Sequence, residues 1–355
     1  MSVEIWPPIA PEQLKIAQET TLSRELDWLL SELHEVLLSL KHGLEDCYAL
    51  LAPIDPGSTL VLSTPRNEIV KGTITRVGTR IVKGTIHLRL RTLPPQTLTL
   101  DPAHAIHLAP LTNLHTLLNH SLDLLSLTLS YCYAASPSSS RPPSPPISSP
   151  AFLSAQLRLL SQSLSDASSI LKGPPLTSSD PGWTTRSVSP SHFSPPLPLS
   201  QTGVPPLSFH LGIQEGSIVL WLRSLEDANL PPTFGSKLAF AIGTARRLDH
   251  DEADRVFGFC CEGEGHGHEH GERPGTSSGS GSGGGGSLRR VGSNTTAGGG
   301  GKAGREMDVF VREKVRVESA DPSLLSLAAK LTALGHVLGL ARRNLAAVMG
   351  EELED

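Results

Sequence analysis

Residues 22–44, LSRELDWLLSELHEVLLSLKHGL, carry leucine or valine at intervals of four and three residues. This spacing lines up apolar side chains in one stripe along an α-helix, as in the heptads of coiled coils. Ser23 is predicted to open the stripe-bearing part, and the turn Asp55-Pro56-Gly57 stops it. The whole first helix, including the part before the stripe, is predicted at residues 14–51.

Three later segments repeat this leucine spacing, at residues 103–133, 151–172 and 320–350. In the last of them Asp321 is a candidate N-cap, and Pro322 suits the first helical turn because its missing N–H costs nothing there. Each apolar stripe needs a partner. We therefore expect an antiparallel four-helix bundle within the chain. Intermolecular coiled-coil pairing is the alternative, although each stripe spans only about three heptads.

Short segments between these helices alternate apolar and polar residues in the manner of β-strands. The hexapeptide IVKGTI occurs at residues 69–74 and again at 81–86, and Gly78 between the copies indicates a hairpin. The predicted β domain is mostly antiparallel and covers residues 57–101, 204–228 and 306–318. Because its strands fall between the helices, the sequence predicts an α+β protein in which a helical bundle and a small β domain are interleaved.

Low-complexity sequence separates the predicted elements. The chain of 355 residues has 33 glycines and 29 prolines, which is too many for one compact domain. Residues 134–150 are rich in serine and proline, and residues 258–304 in glycine, so both are predicted to be disordered inserts. Residues 173–203 are loop-rich, but Trp183 and Phe193 give this segment large apolar side chains to pack.

Charge and cysteine content narrow the class of protein. A formal net charge of -5 argues against a nucleic-acid binder that works through a basic surface. The four cysteines form no disulfide framework, which is typical of a reducing compartment. The first 20 residues contain no apolar signal core, and polar residues interrupt the best candidate span, residues 111–133. We therefore expect a cytoplasmic protein without membrane insertion.

Catalytic motifs are absent from the sequence, which contains no phosphate-binding loop, dinucleotide-binding glycine motif or nucleophile elbow. The sharpest candidate metal site combines thiols and imidazoles from Cys260, Cys261, His266, His268 and His270. Metal ligands need neighbours that hold them in place, and glycine-rich sequence cannot supply these. A polar linker is therefore the preferred interpretation.

Two other polar clusters were considered as sites. The acidic cluster consists of Asp249, His250, Asp251, Glu252 and Asp254. An acid–base pair is conceivable there, but a solvated loop is the prediction. The histidine cluster consists of His104, His107, His115 and His120. Its spacing mixes helix faces, which favours exposure over metal binding. The sequence thus predicts no catalytic residue, no cofactor and no metal site.

The colinear order of several segments resembles Rogdi leucine-zipper proteins. ELDWLL at 25–30 and HEVL at 34–37 are similar to the opening helix of that family, and VKGTIT at 70–75 to the strand that follows. FSPPLP at 193–198 precedes the second predicted hairpin, and a strand at 309–317 leads into the last leucine-rich helix.

The resemblance implies an elongated, interleaved helical and β-sheet protein without enzymatic activity. By this resemblance the chain is similar to the second subunit of the RAVE complex. That complex helps the peripheral sector of the V-ATPase rejoin its membrane sector. The implied function is that of a non-catalytic adaptor in V-ATPase assembly, recruited peripherally to vacuolar or endosomal membranes. The implied partners are a large WD40-propeller RAVE subunit, a Skp-type adaptor and peripheral V-ATPase subunits.

Two alternatives from other functional classes remain at this point. One is a self-associating coiled-coil structural protein without a link to the V-ATPase. The other is a metal-dependent hydrolase that uses the histidine and acidic clusters.

Overall fold

The computed structural model describes residues 9–51, 57–133, 150–175, 181–199, 203–229, 248, 250–253, 255–260 and 307–350. These residues form four α-helices and two antiparallel β-sheets, so the α+β class is confirmed. The helices are α1 (Pro11–Leu51), α2 (Ala109–Tyr133), α3 (Pro150–Lys172) and α4 (Pro322–Met349). The strands are β1 (Ser58–Ser63), β2 (Val70–Val77), β3 (Arg80–Leu88), β4 (Gln96–Thr99), β5 (Ile106–His107), β6 (Leu207–Gln214), β7 (Ser217–Asp227), β8 (Val256–Phe259) and β9 (Met307–Ala320).

The four helices contact one another in a ring, α1 with α2, α2 with α3, α3 with α4, and α4 with α1. Helices α1 and α4 run antiparallel, because Lys330 of α4 bonds Asp46 while Leu334, farther along α4, faces Gly43, earlier in α1. The buried leucines of the four stripes include Leu33, Leu37, Leu40, Leu44, Leu111, Leu114, Leu118, Leu125, Leu153, Leu157, Leu160, Leu164, Leu324, Leu327, Leu331 and Leu338.

Helix α1 begins at Pro11, well before Ser23, where the leucine stripe was predicted to open. Proline suits a first helical turn, and the residues that follow, EQLKIAQE at 12–19, are mostly strong helix formers. The high helix propensity of residues 12–19 therefore extends α1 toward the N-terminus, beyond the part that buries its leucine stripe. In contrast, α4 begins as predicted, because the Asp321 carboxylate accepts the backbone N–H groups of Ser323 and Leu324.

The first sheet has the strand order β1-β2-β3-β4, with β5 paired to β3. Strand β2 contains the first copy of IVKGTI except Ile69, strand β3 contains the second copy, and the two strands pair antiparallel, which confirms the predicted hairpin. In this register Ile74 lies opposite Gly84, and Gly72 lies opposite Ile86. Each glycine thus faces the isoleucine of the other copy, where the neighbouring backbone comes close.

The close approach at Gly72 makes a testable prediction. A Cβ added at Gly72 would collide with the carbonyl oxygen of Thr85 and the Cα of Ile86. Gly72→Ala is therefore expected to lower the free energy of unfolding by about 1–3 kcal/mol, the usual cost of overpacking. Gly212→Ala in β6 is the control, because no atom lies within 4 Å of its added Cβ. Urea unfolding measures both variants, and equal stability of the two would contradict the packing described for the hairpin.

The second sheet has the strand order β6-β7-β9-β8, and its strand β8 was missed by the sequence analysis. The predicted disordered insert starts at Gly258, but Gly258 and Phe259 lie within β8 and pair with Asp308 and Met307. Phe259 is fully buried. The short apolar run VFGF supplies this strand, and the glycine-rich composition that follows it masked the signal. The rest of that insert, 261–304, and residues 134–149 of the other lie outside the described residues.

The buried side chains form one main core and one smaller cluster. The main core is continuous across all four helices and both sheets, and includes Phe193 and Leu197 of the loop-rich segment. The smaller cluster lies on the second sheet around Trp183 and Phe259. Trp183 and Phe193 of segment 173–203 are therefore buried, as predicted, whereas Leu199 is exposed.

Among the described helices, α4 alone is long and apolar enough to cross a membrane by length and composition. Core helices of soluble proteins meet the same criterion. Helix α4 packs against α1 and α3 and buries Leu324, Leu327, Leu331 and Leu338 there.

Candidate interaction surfaces

The candidate thiol and imidazole site lies almost wholly outside the described residues. Only Cys260 is described, and its backbone N–H donates to the carbonyl oxygen of Thr184 at 2.8 Å. Within the described part of the chain, no group of three or more His, Cys, Asp and Glu side chains could hold a metal ion.

The acidic cluster was predicted to be a solvated loop, and for Glu252 this was wrong. Its carboxylate is buried and accepts two hydrogen bonds from Arg223, at 2.7 Å from Nε and 3.0 Å from Nη2. The Nζ of Lys314 lies 2.8 Å from Glu252 and also 2.8 Å from the exposed Asp251. Asp249 and Asp254 lie outside the described residues.

Two tryptophan rings cover this ion-paired cluster. The guanidinium of Arg223 lies 4.5 Å from the ring centroid of Trp183 and 5.5 Å from that of Trp221. The Lys314 ammonium lies 4.9 Å from the Trp221 centroid. Buried cations beside aromatic faces gain electrostatic attraction. Because both carboxylate oxygens of Glu252 are engaged, the cluster fastens residues 250–253 to β7 and β9.

The histidines of the second candidate cluster form local pairs. His115 of α2 is hydrogen-bonded to the Tyr48 hydroxyl of α1 at 3.1 Å. His104 lies 2.8 Å from the Asp101 carboxylate in an exposed turn, and this contact lowers the pKa of Asp101. His104 is exposed, as predicted, and His115 is half-buried where α2 meets α1.

A second buried ion pair joins the helices to the first sheet. The Nε of Arg76 in β2 donates to the Asp321 carboxylate at 2.6 Å, and neither side chain is exposed to solvent (0% each). The same guanidinium donates to the carbonyl oxygens of Gly78 and Leu51, the last residue of α1. One arginine therefore ties the end of α1, the start of α4 and strand β2 together, which fixes the direction of α1.

Within the described ranges, no comparable ion pair holds the opposite end of α1. All side chains from Pro11 to Glu25 are exposed, a length of about 22 Å of helix at 1.5 Å per residue. Because Gly43 is level with Leu334, the last residue of α4, Met349, is level with about Trp28. Residues 11–28 of α1, which we name the projecting half, therefore extend beyond the end of α4.

The projecting half exposes large apolar side chains. Leu22 is 50% exposed and Trp28 is 65% exposed, and Leu14 and Ile16 are similarly accessible. Leu26 is partly buried against the core and continues the stripe that Leu33 and the later leucines bury. The sequence signal for this surface was present, since the leucine stripe starts at Leu22, but burial of the whole stripe was the expectation.

A basic surface lies on the outer face of the first sheet. Lys71 and His87 are exposed neighbours across β2 and β3, and Lys83 and Arg89 of the β3 segment are exposed as well. Glu68 is the acidic side chain on the rim of the groove that Lys71, His87 and Arg89 line. The net charge of -5 gives no sign of this local basic face.

A family model described as Rogdi leucine zipper containing protein matches residues 25–346. The chain belongs to the Rogdi family. The match covers both sheets and most of all four helices, so it confirms the resemblance carried by the ELDWLL, VKGTIT and FSPPLP segments. Within α1 it includes Leu26 and Trp28, while residues 11–24 precede the matched part. A search of curated proteins gave no match.

Proposed function

We propose that this Rogdi-family chain is a non-catalytic adaptor subunit of a RAVE-type complex that promotes assembly of the vacuolar and endosomal V-ATPase. The observation that carries the adaptor role is the projecting half of α1, which exposes Leu22 and Trp28 on a helix anchored at its other end. The basic face of the first sheet offers a separate surface of different chemistry. Family membership supports the non-catalytic part of the proposal, since the Rogdi family is not a known enzyme family.

An adaptor of this kind acts by holding partners in a fixed relative position. The Arg76–Asp321 pair and the main core fix α1 against both sheets, so a protein bound to the projecting half is held at a set distance from one bound to the sheet. The proposed partners are a large WD40-propeller subunit, a Skp-type adaptor and peripheral V-ATPase subunits. The proposed location is the cytoplasm, with peripheral recruitment to vacuolar or endosomal membranes.

The adaptor role makes a cellular prediction. In cells that lack this protein, the membrane-bound fraction of peripheral V-ATPase subunits should recover poorly after sugar withdrawal and readdition, while subunit abundance stays normal. Immunoblots of fractionated membranes measure both quantities. Unchanged recovery would contradict the proposal and favour a self-associating structural protein.

The complementation control addresses the candidate metal site. A chain with His266, His268 and His270 changed to Ala should restore recovery fully, because the proposed adaptor needs no metal. Failure of this variant at normal protein level would instead support the metal-dependent alternative.

A further inference from the structure

Few of the described residues pack against the projecting half of α1. A segment that extends an anchored helix needs no new nucleus, but most helix stability in proteins comes from packing of an apolar face. The exposed run from Pro11 to Glu25 packs against no described residue over most of its surface. A second helix alongside it would supply the missing packing.

The register of the stripe defines where such a helix would lie. Leu22, Leu26 and Leu29 follow the same four-three spacing as Leu33 and Leu40, which are buried among the other helices. Beyond the end of α4, the described residues leave part of the width of the stripe uncovered. The docking face therefore continues the surface that α1 already uses within the molecule.

Charge defines the chemistry of the occupant. Residues 10–32 contain five acidic and two basic side chains. Glu25 and Glu32 are separated by one heptad and flank the stripe on the same side, in the positions that set partner choice in coiled coils. Two copies of this segment would repel each other, whereas lysine or arginine on a partner would be attracted.

We infer that the projecting half of α1, together with the helical turn that follows it as far as Glu32, docks a basic amphipathic helix of a partner protein, with Leu22, Leu26 and Leu29 as the apolar contacts and Glu25 and Glu32 as the charge contacts. This inference rests on the proposed adaptor function and adds the chemistry of one partner. A helix laid in register along an apolar face is a recurrent mode of peptide recognition.

The test uses the full chain and two synthetic 28-residue peptides as probes. Both peptides carry leucine at heptad positions a and d, and one has lysine and the other glutamate at positions e and g. Fluorescence anisotropy of the labelled peptides measures binding. The lysine peptide should bind at least about tenfold more tightly than the glutamate peptide at low salt, and its binding should weaken as salt rises.

Two double variants of α1 supply the matched comparison. Leu22→Asp with Leu26→Asp should weaken binding of the lysine peptide about 100-fold, because two apolar contacts are lost. Ala17→Asp with Ser31→Asp adds the same charge on the opposite side of the helix and should have little effect on binding. Since Leu26 is partly buried, Leu22→Asp alone is also measured, and it should weaken binding about tenfold without changing the melting temperature.

Reversal of the flanking charges distinguishes the contribution of charge to peptide binding from that of the apolar contacts. Glu25→Lys with Glu32→Lys should invert the preference, so that the glutamate peptide binds more tightly than the lysine peptide. Equal binding of the two peptides to the parent chain, or binding of neither, would overturn the inference. So would self-association of the chain that strengthens with salt and is lost in Leu22→Asp.

The cellular assay keeps this inference separate from the proposed function. If the peptides behave as expected but V-ATPase reassembly does not depend on the protein, the docking face stands and the adaptor role fails. If reassembly depends on the protein but Leu22→Asp supports it fully and binds the lysine peptide normally, only the docking face fails.

Discussion

Asp321→Ala is expected to reduce the free energy of unfolding by about 3–5 kcal/mol. The carboxylate is fully buried against Arg76, and removal of one partner leaves an uncompensated charge in the interior. It also removes the N-cap of α4, where Asp321 accepts the N–H of Ser323 and Leu324. Urea unfolding followed by circular dichroism measures the loss.

Asp321→Asn separates the two contributions of this residue. Asparagine caps helices well, so this variant keeps the acceptor for Ser323 and Leu324 but removes the charge. It should recover only about 1 kcal/mol of the loss seen with alanine, because Arg76 remains buried and charged. Full recovery would show that capping, and not the ion pair, accounts for the effect.

An exposed ion pair between the same helices is the matched control. Lys330 of α4 lies 2.7 Å from Asp46 of α1, where the side chains are 44% and 64% exposed, and the contact lowers the pKa of Asp46. Solvent screens such pairs, so Asp46→Ala should leave stability nearly unchanged. An effect of Asp46→Ala equal to that of Asp321→Ala would contradict the contribution assigned to burial.

Local patterns in the sequence were sufficient for part of the fold. Leucine spacing located the helices, and the duplicated IVKGTI located a hairpin whose two copies pair with each other. The cap at Asp321 was also predicted, because a cap involves neighbours in sequence. Each of these features depends on residues within a few positions of one another.

Contacts between distant segments explain what the sequence analysis missed. Glu252 has the appearance of a loop residue, and its burial depends on Arg223 and Lys314, which come from other strands. Asp321 was recognised as a cap but not as the partner of Arg76. The docking face, in contrast, is a surface that was predicted to be buried. A leucine stripe shows that a helix can pack, but it does not show how far along the helix its neighbours reach.

Leu33→Asp is expected to destabilise the protein by more than the ~2–5 kcal/mol typical of a buried Leu→Ala change, because a carboxylate must also be buried or neutralised. Leu33 is 4% exposed and lies in the main core. Leu334 belongs to the leucine stripe of α4, so Leu334→Asp is also expected to destabilise the protein. However, Leu334 is only partly buried against Gly43, so its loss should be smaller.

Leu22→Asp is the control on the same helix and the same stripe. Its side chain is 50% exposed in the projecting half, so the parent melting temperature should be retained. Differential scanning calorimetry of Leu33→Asp, Leu334→Asp and Leu22→Asp should therefore rank them in order of increasing stability. If Leu33→Asp melted like the parent, the helices would not share a core. If Leu22→Asp were as unstable as Leu33→Asp, the projecting half would be packed in the free protein, and no open face would remain for a partner helix.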